Sequence, residues 1–292
     1  MDGILLIDKA KGFTSHDVVA KLRGILKTKK IGHSGTLDPE ATGLLVVGVN
    51  KGTKIMKFLN QDEKIYQATA CIGKTTDTLD DDGQVLEEVL ITKIPNNIEE
   101  VVHSFKGEYT FDIPMYSAVK VNGKKLYEYA RQGKKPDVDL SKTVRIFDIH
   151  MLHQPRLKEQ TIEVDYQVYA TKGLYVRALS KDLGKKLGFP AYNLHLRRIK
   201  AGKFSIEQAQ TLEELEENPP KMVSLADALP FTKHIVNKEE YIEIKHGRKV
   251  HLSSSEAMLS MVDEENHLLA VYQLETNNQY KAVNVFLEGE TR

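Results

Sequence analysis

Apolar positions along the chain fall into short runs of three kinds. GILLID (3–8) and LLVVGV (44–49) are continuous, bounded by polar or glycine residues and too short for helices, so they predict buried strands. KIYQATACIG (64–73), TVRIFDIHML (143–152) and TIEVDYQVYA (161–170) alternate, which predicts strands with one face turned inward. Helical spacing places Val18, Val19, Leu22, Ile25 and Leu26 on one face after a hydroxyl start at Thr14 or Ser15. The same spacing puts Ile98, Val101, Val102 and Phe105 together in 94–105. In GLYVRALSKDLGKKLG (173–188), Val176, Leu179, Leu183 and Leu187 form a stripe that Gly188 ends. TKIMKFL (53–59) predicts a short amphipathic helix, and Thr211 with Glu214 predicts a capping box opening another. Asp82-Gly83 and Asn122-Gly123 are tight-turn signals. Residues 231–292, beyond Pro230, carry short alternating runs of their own. Many short strands among a few helices predict an α+β chain with a mixed, largely antiparallel sheet over 1–230 and a small β domain over 231–292.

The 292 residues are 41% hydrophobic and 28% charged, as in an ordinary soluble globular protein. No apolar run approaches the ~20 residues of a membrane span. The start, MDGILLIDKAKG, is acidic at Asp2 and Asp8 and too short in apolar residues for a signal peptide. A single cysteine, Cys71, rules out an internal disulfide framework and a cysteine-rich zinc site, and points to a reducing cytoplasm. Net charge is zero, but it is unevenly spread along the chain. Residues 1–60, 101–150 and 151–204 together hold 30 Lys and Arg against 15 Asp and Glu, while the rest holds 11 against 26. Such segregation either presents a basic face to a phosphate backbone or averages out in space.

GHSGTLDPEATGLL (32–45) is the most constrained stretch. Pro39 pushes Asp38 toward extended geometry. Gly32 and Gly35 permit positive φ or close backbone approach, and Ser34, Thr36 and Thr42 carry hydroxyls that can satisfy loop amides. The expected result is a stiff loop presenting one carboxylate at the edge of a buried strand. Taken alone, Asp38 reads more readily as a turn-capping residue. No Gly-Lys-Ser/Thr ending makes this a P-loop, and the Asp-Thr/Ser-Gly order of aspartic proteases is absent.

Several stretches in order resemble the bacterial tRNA pseudouridine-55 synthases, the TruB family. They are GILLIDKAKGFTSHDVV (3–19), GHSGTLDPEATGLLVVG (32–48), KIY (64–66), TDTLDDDG (76–83), PMYSAVKVNGKKLYEYARQG (114–133), TKGLYVRALSKDLGKKLG (171–188) and LRRIKAG (196–202). Residues 231–292 match more loosely a small RNA-binding domain of the PUA type, mainly through HGRKV (246–250). The chain departs from the family's usual residues at Ser34, Thr36, Ile113 before Pro114, and Ala170, none of them at a position assigned a catalytic role.

The resemblance implies isomerisation of a uridine in the tRNA T-loop, a redox-neutral reaction needing neither cofactor nor metal. It makes Asp38 the catalytic carboxylate, Arg177 its cationic partner and Tyr66 the active-site tyrosine. A carboxylate shielded from water tends to protonate unless a cation stands nearby. Tyr66 can stack on uracil or relay a proton, though alone it would be read as core. His33 is implied to help open the T-loop, and Tyr175 and Leu196 to line the pocket. The target base must leave its stack, and phosphate contacts would offset that cost. Lys9, Lys29, Lys30, Lys120, Lys124, Lys125, Arg131 and Lys134 are the candidates. The basic hairpin-plus-helix 114–135 resembles the family's clamp over the T-loop, and acidic TDTLDDDG reads as a structural turn. The expected partner is the T-stem-loop of tRNA, with no membrane, no guide RNA and a monomeric chain. A guide-RNA-dependent synthase shares a GHSGTLDP-like loop but lacks the clamp. A non-catalytic RNA-binding module is opposed by intact Asp38, Tyr66 and Arg177.

Overall fold

A computed structural model describes residues 1–59 and 62–287. Asn60, Gln61 and the last five residues of the expected C-terminal domain lie outside the described residues. Eleven strands make one sheet. Its main path runs Met222–Val223, Gly3–Lys9, Thr42–Val49, Ala191–Ala201, Glu63–Ile72, Thr161–Thr171, Ser141–Met151, Gly107–Asp112. Neighbours along this path are antiparallel except Thr42–Val49 against Ala191–Ala201, where Arg197 pairs with Thr42 and Arg198 with Gly43. Gly43 is required at this junction. Its φ is +97°, and a Cβ would stand 2.3 Å from the Arg198 carbonyl oxygen.

The two continuous apolar runs are explained by burial on both faces. Leu5, Ile7, Leu45 and Val47 pack with Val18, Val19 and Leu22 of the helix Ser15–Ile25. Ile4, Leu6, Leu44 and Val46 face the other way, into a core shared with Val262, Leu268, Val271 and Phe286 of the C-terminal unit. That unit is a five-stranded sheet drawn from residues 232–285 with the helix Lys238–Lys245 beside it. At the other end of the large sheet, Tyr166, Ile146 and Val164 pack with Leu179 and Leu183 of the helix Val176–Leu187.

Local signals act as their chemistry dictates. Thr14 caps the first helix in a reciprocal box with Asp17, and Thr211 does the same with Glu214. Gly188 ends its helix in the left-handed region at φ +83°. Asn122 and Gly123 take φ of +50° and +81° between Lys120–Val121 and Lys124–Lys125, closing a two-residue hairpin. Two expectations are corrected. The helix expected over 94–105 is only Ile98–His103, with Phe105 buried beyond its end. The strand Ala191–Ala201 was not anticipated; bulges at Asn193/His195 and Arg198/Lys200 break its alternation.

Candidate active site

The Asp38 loop joins the strand Ile31–Ser34 to Thr42–Val49 and is pinned on both sides of the carboxylate. Before it, Ser15 Oγ accepts from the Leu37 amide at 3.0 Å and donates to the Leu37 carbonyl at 3.1 Å. After it, the Pro39 carbonyl accepts from Lys9 Nζ at 3.0 Å and from the Gly12 amide at 3.0 Å. The buried Arg198 guanidinium donates to the Gly35 carbonyl at 2.7 Å and to the Leu44 carbonyl at 2.8 Å, tying the loop to the strand it feeds. Contrary to the sequence expectation, the hydroxyl that satisfies the loop amide belongs to Ser15 rather than to Ser34 or Thr36. Thr42 Oγ1 instead donates to the Leu196 carbonyl at 3.3 Å.

Arg177 sits in the first turn of its helix, 6% exposed, with Nη2 3.0 Å from Asp38 Oδ2. Asp38 is 44% exposed, so the pair is open on the carboxylate's side. It cannot carry the roughly 3–5 kcal/mol expected of a fully buried pair. What holds the guanidinium lies behind it. Nη1 donates to the Thr78 carbonyl at 2.8 Å and to Asp80 Oδ2 at 3.1 Å, and Nη2 donates to the Tyr116 carbonyl at 3.0 Å. Asp80 is itself fixed. The Thr78 hydroxyl bonds its carboxylate, its carbonyl accepts from Thr76 Oγ1 at 2.7 Å, and the adjacent Leu79 takes φ of +62°. The acidic turn is therefore structural, as expected, but it also orients Arg177.

Asp38, Tyr66, Tyr175, Arg177 and Leu196 all line one cleft of about 230 Å³. That is small against sites for whole small-molecule ligands. Tyr66 is 8% exposed, on the strand Glu63–Ile72. Burial pushes the Tyr175 phenol pKa up. Sequence alone did not single out Lys64, Lys142 or Ser117, which also line the cleft. Burial, then the charges of Arg198 and Lys142, push the Lys64 ammonium down to about 8. Lys64 opens the KIY motif; a cation two residues before an active-site tyrosine on a strand, thus on the same face, was the available signal.

The other candidates are placed differently. Lys9 is a correction: it is fully buried, and its ammonium serves the Ala10, Phe13 and Pro39 carbonyls. It holds the loop and has no route to a phosphate. His33 stands on the strand leading into the loop, outside the cleft lining. Its ring meets His16 edge-on at 5.3 Å, and burial lowers its pKa. Lys29 and Lys30 are exposed beyond the first helix and outside the cleft. Lys120, Lys124, Arg131 and Lys134 are exposed on 114–135, while Lys125 is half-buried. Lys125 and Arg131 both lie 5.3 Å from the Tyr127 ring centre.

A family model described as TruB family pseudouridylate synthase (N terminal domain) matches residues 23–176. The tRNA pseudouridine synthase B of Bacillus cytotoxicus is 39% identical over 288 residues, covering 94% of this chain and 92% of the relative. The chain belongs to the TruB family. A second TruB relative, from Staphylococcus saprophyticus, is 38% identical over 288 residues, covering 93% of this chain and 94% of the relative. A solved H/ACA RNP bound to a substrate RNA containing 2′-deoxyuridine superposes with a TM-score of 0.69. At 20% identity over 99% of this chain and 86% of that one, it shares the fold. The pinned Asp38 loop and the Arg177 contact thus belong to a TruB-type α+β catalytic sheet with a small β domain behind it.

Proposed function

We propose that the chain converts uridine 55 in the T-loop of tRNA to pseudouridine, unaided by guide RNA, cofactor or metal. The observation that carries this reading is Asp38, held rigid yet open to the cleft, with Arg177 3.0 Å away. The uridine is flipped into the cleft, where the Tyr66 ring offers a stacking face. The C1′–N1 bond breaks, the base turns, and C1′–C5 forms. The C5 hydrogen leaves as a proton and N1 ends protonated, so composition and oxidation state are unchanged. Asp38 acts as nucleophile or base in this sequence, and Arg177 holds its carboxylate in place.

The exposed cations of 114–135 grip the T-stem-loop phosphates. The segment's root is registered on the catalytic guanidinium through the Tyr116 carbonyl, which couples gripping to the site. The C-terminal β unit adds RNA contacts in the manner of a PUA domain. The protein works as a cytoplasmic monomer; among the described residues no helix is long and apolar enough to cross a membrane.

Incubation of the purified chain with an unmodified tRNA transcript alone tests this, with pseudouridine mapped by position. Conversion confined to position 55 is expected. Binding without conversion, or conversion only after a guide RNA is added, would overturn the reading.

A further inference from the structure

Ser117 stands at the start of the 114–135 segment and lines the cleft with Asp38, Tyr66 and Tyr175. Its backbone is fixed on both sides. The Tyr116 carbonyl accepts from Arg177 at 3.0 Å, and the Ser117 carbonyl accepts from the Tyr127 amide at 3.2 Å. The residue is 6% exposed, and its hydroxyl is buried with no hydrogen-bond partner. The Tyr175 phenol is its polar neighbour: the Ser117 hydroxyl lowers that phenol's pKa by a hydrogen-bond-type interaction, against the larger upward push of burial, yet the two oxygens do not meet the geometry of a hydrogen bond. A buried hydroxyl left unpaired has lost its hydrogen bonds to water without replacement. Such a group, lining a functional cleft without a protein partner, is available to whatever polar group enters that cleft.

We propose that Ser117 Oγ is a direct contact to the polar edge of the flipped uracil, one that survives the turning of the base. The inference rests on the isomerisation reading above. Uracil presents O2, N3–H and O4 along one edge. Turning the detached base about its N3–C6 axis brings C5 to where N1 stood. The same turn exchanges O2 and O4 and leaves N3–H in place. A ligand to this edge therefore meets either carbonyl oxygen in the same position before and after. A hydroxyl suits that demand, because it donates to whichever oxygen arrives and can swing to accept from N3–H. Ser117 is a positioning contact; the bond changes remain with Asp38.

The test is a chemical double cycle with the full chain. Wild type and Ser117→Ala are compared under single-turnover conditions on a tRNA carrying uridine, and on one carrying 4-thiouridine, at the target position. Sulfur is the poorer acceptor. Ser117→Ala is expected to lower the uridine rate about tenfold with tRNA Kd unchanged within about twofold. The sulfur substitution should slow wild type and add little to the loss in Ser117→Ala. A merely structural role for Ser117 would leave the sulfur penalty equal in both proteins. That equality, or a Ser117→Ala rate within twofold of wild type, overturns the proposal. No conversion by wild type would instead sink the isomerisation reading itself.

Discussion

The loop carrying Asp38 and the segment 114–135 make opposite use of their contacts. The loop is short and is pinned by three side chains from two distant parts of the chain: Lys9 and Ser15 near the start, and Arg198. The longer segment is held mostly by itself. The Leu126 amide donates to the Val119 carbonyl, Tyr127 to Ser117, and the Tyr129 hydroxyl to Val121. Its outward ties at the root are the Tyr116 carbonyl on Arg177 and the Tyr116 hydroxyl on Asp77. A piece of chain secured by local contacts opens at lower cost than one tied into the core. On the proposed reading, the reactive carboxylate is held by the core, while the segment that grips RNA is held mainly by its own contacts.

That contrast can be broken from either side. After loss of the Asp38 carboxylate itself, the largest effect is expected from Asp80→Asn, which removes the carboxylate charge behind Arg177 while keeping its shape. Single-turnover conversion should fall about 10²-fold, roughly 2.7 kcal/mol of barrier, with tRNA affinity held within a few-fold. A rate unchanged in Asp80→Asn would detach the acidic turn from the site. Next comes Ser15→Ala, which strips the Leu37 amide of its buried acceptor. Urea unfolding should register a loss of about 1–3 kcal/mol, and stability equal to wild type would mean the loop is pinned by something else.

On the gripping side, replacing Lys124 and Lys125 by Ala should weaken tRNA binding and flatten its salt dependence by about one unit of slope for each lysine in phosphate contact. An unaltered slope would remove both from the interface. A last effect concerns Lys64 and is confined to alkaline pH. Its ammonium ordinarily titrates at 10.5 and here at about 8, chiefly through burial. Between those values the unfolded chain holds a proton that the folded chain has released, so this group makes stability rise with pH across that window. Wild type should accordingly gain stability relative to Lys64→Gln between pH 8 and 10; a constant difference would show that the group is not desolvated.

Much of this was legible in the sequence, and what escaped did so for physical reasons. Strands buried on both faces declare themselves as continuous apolar runs, and hairpins and caps through their turn residues, so five of the eight strands on the main path could be read, while Gly107–Asp112, Ala191–Ala201 and Met222–Val223 could not. Asp38, Arg177 and Tyr66 emerged from the family's motifs, since no local pattern announces a pair 139 positions apart in the chain. The strand Ala191–Ala201 escaped because two bulges and three basic side chains scramble its period. Lys9 was misread because a lysine's burial is decided by where three carbonyls happen to converge, which residue type alone does not reveal. Asp80 was read as a turn residue, which it is; its second task depends on a helix that arrives 97 residues later.

The most direct test of the central claim is Asp38→Asn, assayed in parallel for pseudouridine formation under single-turnover conditions and for tRNA binding. If the rigid, open carboxylate performs the chemistry, conversion falls by at least about 10³-fold, roughly 4 kcal/mol of barrier, while Kd stays within a few-fold of wild type. Turnover retained by Asp38→Asn would contradict the account.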